Sequence, residues 1–144
     1  EEDIVEAIPK TLQDNIFDLT QLILTKKIDQ ARDLVKDLTL QGEDEIKLIA
    51  IMLGQFRLYT QVKILQESGQ TESQMVSSLG HYLGRNPNPY QIKFALRDTR
   101  GLSLTFLQDS IRYLIQADYQ IKTGVYEKGY LFEKALLQIA SQSN

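Results

Sequence analysis

Asp118 and Lys122, one helical turn apart, are the residues whose type and spacing first suggest chemistry. Helical periodicity from Leu104 to Lys122 sets the carboxylate near the middle of an apolar stripe of Leu107, Ile111, Leu114, Ile115 and Ile121. A carboxylate withdrawn from water needs a counter-charge or hydrogen bonds, because leaving it bare is strongly unfavourable. Lys122 offers that charge within the same helix, and another helix's N-terminus or a second subunit would offer an equivalent one. We therefore expect Asp118, with Lys122, to be a structural buried acid that fixes which face of its helix turns inward.

Other candidates for reactive chemistry are sparse. His81 has no second histidine or cysteine at ligand spacing. Asp33 with Asp37, and Glu43 with Asp44, fall on helix faces and starts, where solvation and the helix dipole account for them. No GxxxxGK[ST] loop and no GxGxxG after a strand is present to cradle a phosphate. Cysteine is absent, which removes disulfides, thiolate metal sites and cysteine nucleophiles together. We expect no catalytic residue, no metal and no cofactor in this segment. Lys26-Lys27 and the group Lys93, Arg97 and Arg100 are small basic patches; against a net charge of −3 they read first as solvated surface, second as phosphate contacts and third as protein contacts.

The elements that position these residues are helices throughout, since strand alternation bounded by hairpin dipeptides is not found. With 144 residues, 42% of them hydrophobic and 24% charged, the chain fits one domain with its own core. No apolar run approaches the ~20 residues that span a bilayer, so no membrane association is expected. Asn15 is expected to cap a first helix running to Thr25, and Asp29 a second whose Ala31, Leu34, Val35 and Leu38 share a face before Gly42. The third, about Asp44 to Glu67, carries one stripe of Ile46, Ile49, Met52, Leu53, Phe56 and Ile64 and another of Ile51, Leu58, Val62 and Leu65, so it is covered on both sides, by its own chain as the central element or by a partner. Thr71 and Gln74 have capping-box spacing ahead of a helix closing at Gly84. Asn88-Pro89 opens the next, which buries Ile92, Ala95, Leu96 and Thr99; Ser103 caps the long helix of Asp118; Lys128 to Ser141 forms the last. No fixed-period repeat is present. The fold class is all-α, a single compact bundle of about seven helices.

Several segments carry a likeness to a known family. Asp118-Tyr119-Gln120-Ile121-Lys122-Thr123-Gly124 resembles a segment near the C-terminus of the delta subunit of the bacterial DNA polymerase III clamp loader. Gln41-Gly42-Glu43-Asp44, Gln55-Phe56-Arg57, Leu83-Gly84 and Asn88-Pro89-Tyr90 agree with it in order and spacing, while Arg85-Asn86-Pro87 makes a longer loop than is typical. The resemblance implies that residues 13–144 are a C-terminal helical collar domain, of the kind that follows AAA+ modules and holds subunits together. Residues 1–12 would then be the end of a preceding domain or linker. The chain starts at Glu1 rather than methionine, and we read it as a C-terminal piece of a longer protein.

The implied function is assembly with the gamma or tau and delta prime subunits, so that the sliding clamp is opened and loaded onto primed DNA. The clamp itself would be met by the N-terminal part, DNA only indirectly, and the location would be the cytoplasmic, nucleoid-associated replication machinery of a bacterium. This segment would carry no ATPase or polymerase chemistry. A ring member needs a different face for each neighbour. Leu58, Val62 and Leu65 of the second stripe, with the off-core aromatics Phe94, Phe106 and Tyr113, are the candidate subunit interface. Periodicity alone equally permits a helical adaptor unrelated to replication, or a regulator domain holding a small molecule in an internal apolar cavity.

Overall fold

The computed structural model describes residues 9–83 and 89–143, and all regular structure among them is α-helical. The elements are α1 (Lys10–Leu24), α2 (Ile28–Leu40), α3 (Glu45–Glu67), α4 (Glu72–Leu83), α5 (Pro89–Thr99), α6 (Leu104–Lys122) and α7 (Lys128–Ala140). Three starts follow local side-chain chemistry, those at Thr71 and Ser103 as expected from the sequence. Asp44 caps α3, its Oδ1 accepting the Ile46 amide at 2.8 Å, and Ser103 caps α6 through Phe106 at 3.0 Å. Thr71 and Gln74 close a reciprocal capping box: the Thr71 amide donates to Gln74 Oε1 at 2.8 Å, and the Gln74 amide to Thr71 Oγ1 at 3.2 Å.

Two starts differ from expectation. α1 begins at Lys10 behind Pro9 and not at Asn15, which lies inside the helix. Leu12 supplies the reason, because it joins Ile16, Leu19 and Ile23 in the core and extends the buried stripe one turn upstream. α2 begins at Ile28, so Asp29 sits in the first turn, where its charge meets the helix dipole without a capping hydrogen bond. The expected helix end at Gly84, the cap at Asn88 and the loop Arg85-Asn86-Pro87 lie outside the described residues.

α3 is the centre, packed against α1, α4, α5, α6 and α7. Ile49, Met52 and Phe56 of one stripe and Ile51 and Val62 of the other are buried, together with Leu48 and Tyr59 between them. Most of both stripes is therefore covered within the chain; Leu58 and Leu65 stay half-buried, and Ile64, at the C-terminal end, is exposed. By length and composition α3 is apolar enough to cross a bilayer, which the run-length reading missed; neighbours on all sides account for that apolarity here.

α1, α2, α3 and α6 all end with paired backbone bonds from the two residues after the last turn, as Gly124 N to Ile121 O at 3.1 Å and Val125 N to Gln120 O at 3.0 Å. The left-handed position is glycine at 42, 69 and 124 but lysine at 26, with φ of 62°. Lys26 holds that conformation while its Nζ donates to the carbonyls of Ala140 and Gln142, capping the far end of α7.

At the opposite end, Asp44 Oδ2 accepts from Lys128 Nζ at 2.9 Å, joining the starts of α3 and α7. Hydrogen bonds from Lys128 and then from the Ile46 amide hold the Asp44 carboxyl below its ordinary value, and the bond to Asp44 raises Lys128 above its own. A depressed acid stabilises the fold fully above its unfolded pKa of about 4 and loses that contribution as pH falls through the lower folded value. A raised lysine contributes below its unfolded value of about 10.4 and loses it as pH climbs through the higher folded one. The melting difference between the parent chain and Asp44→Asn should accordingly be flat through neutrality and shrink below about pH 4. A difference still undiminished in strong acid would show that the charge of Asp44 is irrelevant to the fold.

Candidate functional site

The surface of the bundle is best built from α6 outward. Phe106, Leu107, Ser110, Leu114, Ala117 and Ile121 form its buried stripe. At about 100° per residue, that stripe centres to one side of Asp118, which lies at its rim. Asp118 is therefore not a buried acid: its side chain is 25% exposed and pairs with the solvated Lys122 at 2.9 Å, while Ile115, expected in the stripe, faces solvent. The intrahelical pair itself is as expected.

A buried carboxylate does exist, on α5. Asp98, with a side chain 3% exposed, accepts from Tyr59 Oη of α3 at 2.9 Å and Gln21 Nε2 of α1 at 2.6 Å through Oδ2, and from Arg97 Nε at 3.1 Å through Oδ1. Three donors on three helices satisfy the charge and fix α5 to α1 and α3. Burial first, and then the Asp98 charge, push the Tyr59 phenol far up, so it remains a donor at any physiological pH. The signal for Asp98 was present in the sequence: it lies within about 60° of Ala95 on the helical wheel, on the side that carries Ile92 and Thr99.

The six interface candidates separate by burial. Val62 and Phe106 are enclosed in the core and offer no free surface, because the second stripe of α3 and the flank of α6 face other helices of the same chain. Leu58, Leu65 and Tyr113 are partly buried against the core. Phe94 alone is well exposed, at 41%; its ring centre lies 5.5 Å from that of Phe17 on α1, and the Arg97 guanidinium sits 4.9 Å from it on α5.

Other large apolar side chains are exposed outside the six candidates. Ile115 and Tyr119, one turn apart on α6, lie open to solvent, Tyr119 at 66%. Beyond the C-terminus of α6 come Val125, Tyr126 and Tyr130, the two tyrosine rings 5.1 Å apart. An open groove of about 360 Å³ runs along α6 and α7, lined by Tyr113, Lys134, Leu137, Gln138, Ser141 and Gln142. Val125 and Tyr126 sit in a turn with no helical period, so no pattern marks them in advance.

Of the basic candidates, Lys26 is engaged as the cap of α7, whereas Lys93, Arg97 and Arg100 are exposed on α5. His81 lies exposed in the last turn of α4, and among the described residues no three His, Cys, Asp or Glu side chains cluster as a metal site would require. The site is thus a surface of aromatic and aliphatic side chains on a fully enclosed core, with one fixed cation on α5.

Comparison with known proteins follows the same contour. Residues 13–139 match the family described as DNA polymerase III delta subunit, C-terminal domain. The chain is similar to DNA polymerase III subunit delta of Bacillus subtilis, with 32% identity over 142 residues, covering 99% of this chain and 39% of that protein. Its structure resembles that of the Bacillus subtilis DNA clamp loader delta protein with a TM-score of 0.80 and 31% identity, over 98% of this chain and 40% of the other. The chain thus spans about two fifths of the length of each relative.

Proposed function

Given that the chain belongs to the family formed by the C-terminal domains of DNA polymerase III delta subunits, we propose that it is the collar of a clamp-loader delta subunit and joins its sister subunits through side chains its own core leaves uncovered. The observation that carries this reading is the exposure of Ile115, Tyr119, Val125, Tyr126 and Tyr130 beside an otherwise closed core. Large aromatic side chains left in water are the material from which interface anchors are made. Phe94, Tyr113, Leu58 and Leu65 extend the contact, and a ring position requires two unlike faces. The partners in this reading are the gamma or tau and delta prime subunits. Clamp contact and opening belong to the part of the subunit outside this segment, DNA is met only through the assembly, and the setting is the cytoplasmic replication machinery.

The test is association with the purified collar segments of those subunits, followed by light scattering. A mass above that of the 16.5 kDa chain at about 10 μM supports the reading, and persistence of separate components removes it. Tyr119→Ala should weaken association by roughly tenfold to thirtyfold while leaving the melting temperature in place, since Tyr119 makes little contact inside the chain. An unchanged affinity would take Tyr119 out of the interface.

A further inference from the structure

The outer face of α5 carries a different chemistry, a row of cations. Arg97 is held from two sides: Asp98 fixes Nε, and Phe94, itself braced by Phe17, supports the guanidinium plane. The side chain is nonetheless 56% exposed, and among the described residues its only ion pair is with Asp98. Lys93, four residues before it, and Arg100, three after, are exposed and carry no ion pair among the described residues. Residues at these intervals share one side of a helix, so three cations stand in a row while the acid between them is turned inward. On a chain with 16 basic and 19 acidic residues, this is a local reversal of sign.

We propose that this face docks an acidic helical surface of a sister subunit, one presenting carboxylates three to four residues apart; the inference rests on the assembly reading and names the chemistry of one contact within it. A guanidinium immobilised before binding loses little freedom on meeting a bidentate carboxylate, and the exposed part of the Phe94 ring gives the charged row an apolar neighbour to bury. A protein face fits better than a nucleic-acid strand. Asp14, one turn before Phe17, and Asp18, next to it, are both exposed on the adjoining side of α1, where a continuing phosphate backbone would run into them. The net charge of −3 works the same way against an extended polyanion.

Lys93→Glu/Arg100→Glu is the decisive variant, because both side chains are exposed and neither belongs to the buried Asp98 node. Its association with the collar segments of the gamma or tau and delta prime subunits should be at least roughly tenfold weaker than the parent's, with a flatter dependence on salt from about 50 to 300 mM and unchanged thermal unfolding. Lys93→Arg/Arg100→Lys should restore both affinity and salt dependence. Equal affinity and equal salt dependence in parent and charge-reversed chains overturn this inference and leave the assembly reading standing. Failure of the parent chain to associate removes both. Loss of binding to a fluorescent single-stranded oligonucleotide of about 20 nucleotides, with subunit association intact, overturns it in favour of nucleic acid.

Discussion

Asp98→Ala lowers the unfolding free energy by about 3–5 kcal/mol, the range expected when one partner of a buried, hydrogen-bonded charge is removed. The loss does not come from Arg97, which is half in water and regains solvation once released. It comes from the Tyr59 hydroxyl and the Gln21 amide, both aimed at Oδ2 and left without an acceptor in the interior. For a chain of 144 residues this corresponds to a melting temperature lower by roughly 10 °C. Asp98→Asn, which keeps an acceptor oxygen, should cost less, and Tyr59→Phe about 1 kcal/mol, because Asp98 retains two donors. Urea unfolding of the three variants orders them; a loss under about 1 kcal/mol for Asp98→Ala would mean that water replaces the carboxylate and that the node does not hold α5.

Phe56→Ala is expected to cost about 3–5 kcal/mol through a different mechanism, a cavity at the centre of the bundle. Phe56 is wholly enclosed on α3, the helix that touches five others, and its ring meets Tyr59 edge-on at 5.8 Å. Neighbours on so many helices cannot all move inward, so the space stays largely empty. Phe56→Leu, which refills most of it, should cost much less. Because Tyr59 borders both the ring and Asp98, combining Phe56→Ala with Asp98→Ala should depart from additivity by more than about 0.5 kcal/mol. Strict additivity in urea unfolding would separate the apolar centre from the polar node.

These two residues also mark how far the sequence could be read. Phe56 was legible as core, since its stripe repeats along three turns, and the caps at Thr71 and Ser103 were legible because side-chain chemistry and position coincide. The start of α1 was not, because Asn15 offers a cap but burial of Leu12 outweighs it. Periodicity reports that a side chain is apolar without saying which helix covers it; that is why Val62 and Phe106 stood among the interface candidates and are enclosed by the chain's own helices. The large apolar side chains left exposed include Tyr119 on α6, Tyr126 in the turn after it and Tyr130 on α7, which keep no simple period with the buried stripe. A similar ambiguity moved the buried acid from Asp118 to Asp98: both sit near apolar neighbours, and only the arrival of Tyr59 and Gln21 from other helices decides between them.

The bond from Lys26 to the last carbonyls of α7 has a consequence for how the domain comes into being. Those groups are 114 and 116 positions apart along the chain, and α7 also walls in α1, α2, α3 and α6. During synthesis α7 leaves the ribosome after every other helix, so Phe132, Leu136 and Ile139 reach their places only once the earlier segments have waited with an open side. The nascent chain cannot seal itself stepwise; closure is a late, all-at-once event, and a chain stopped before α7 would be left with an unsealed seam for chaperones to hold.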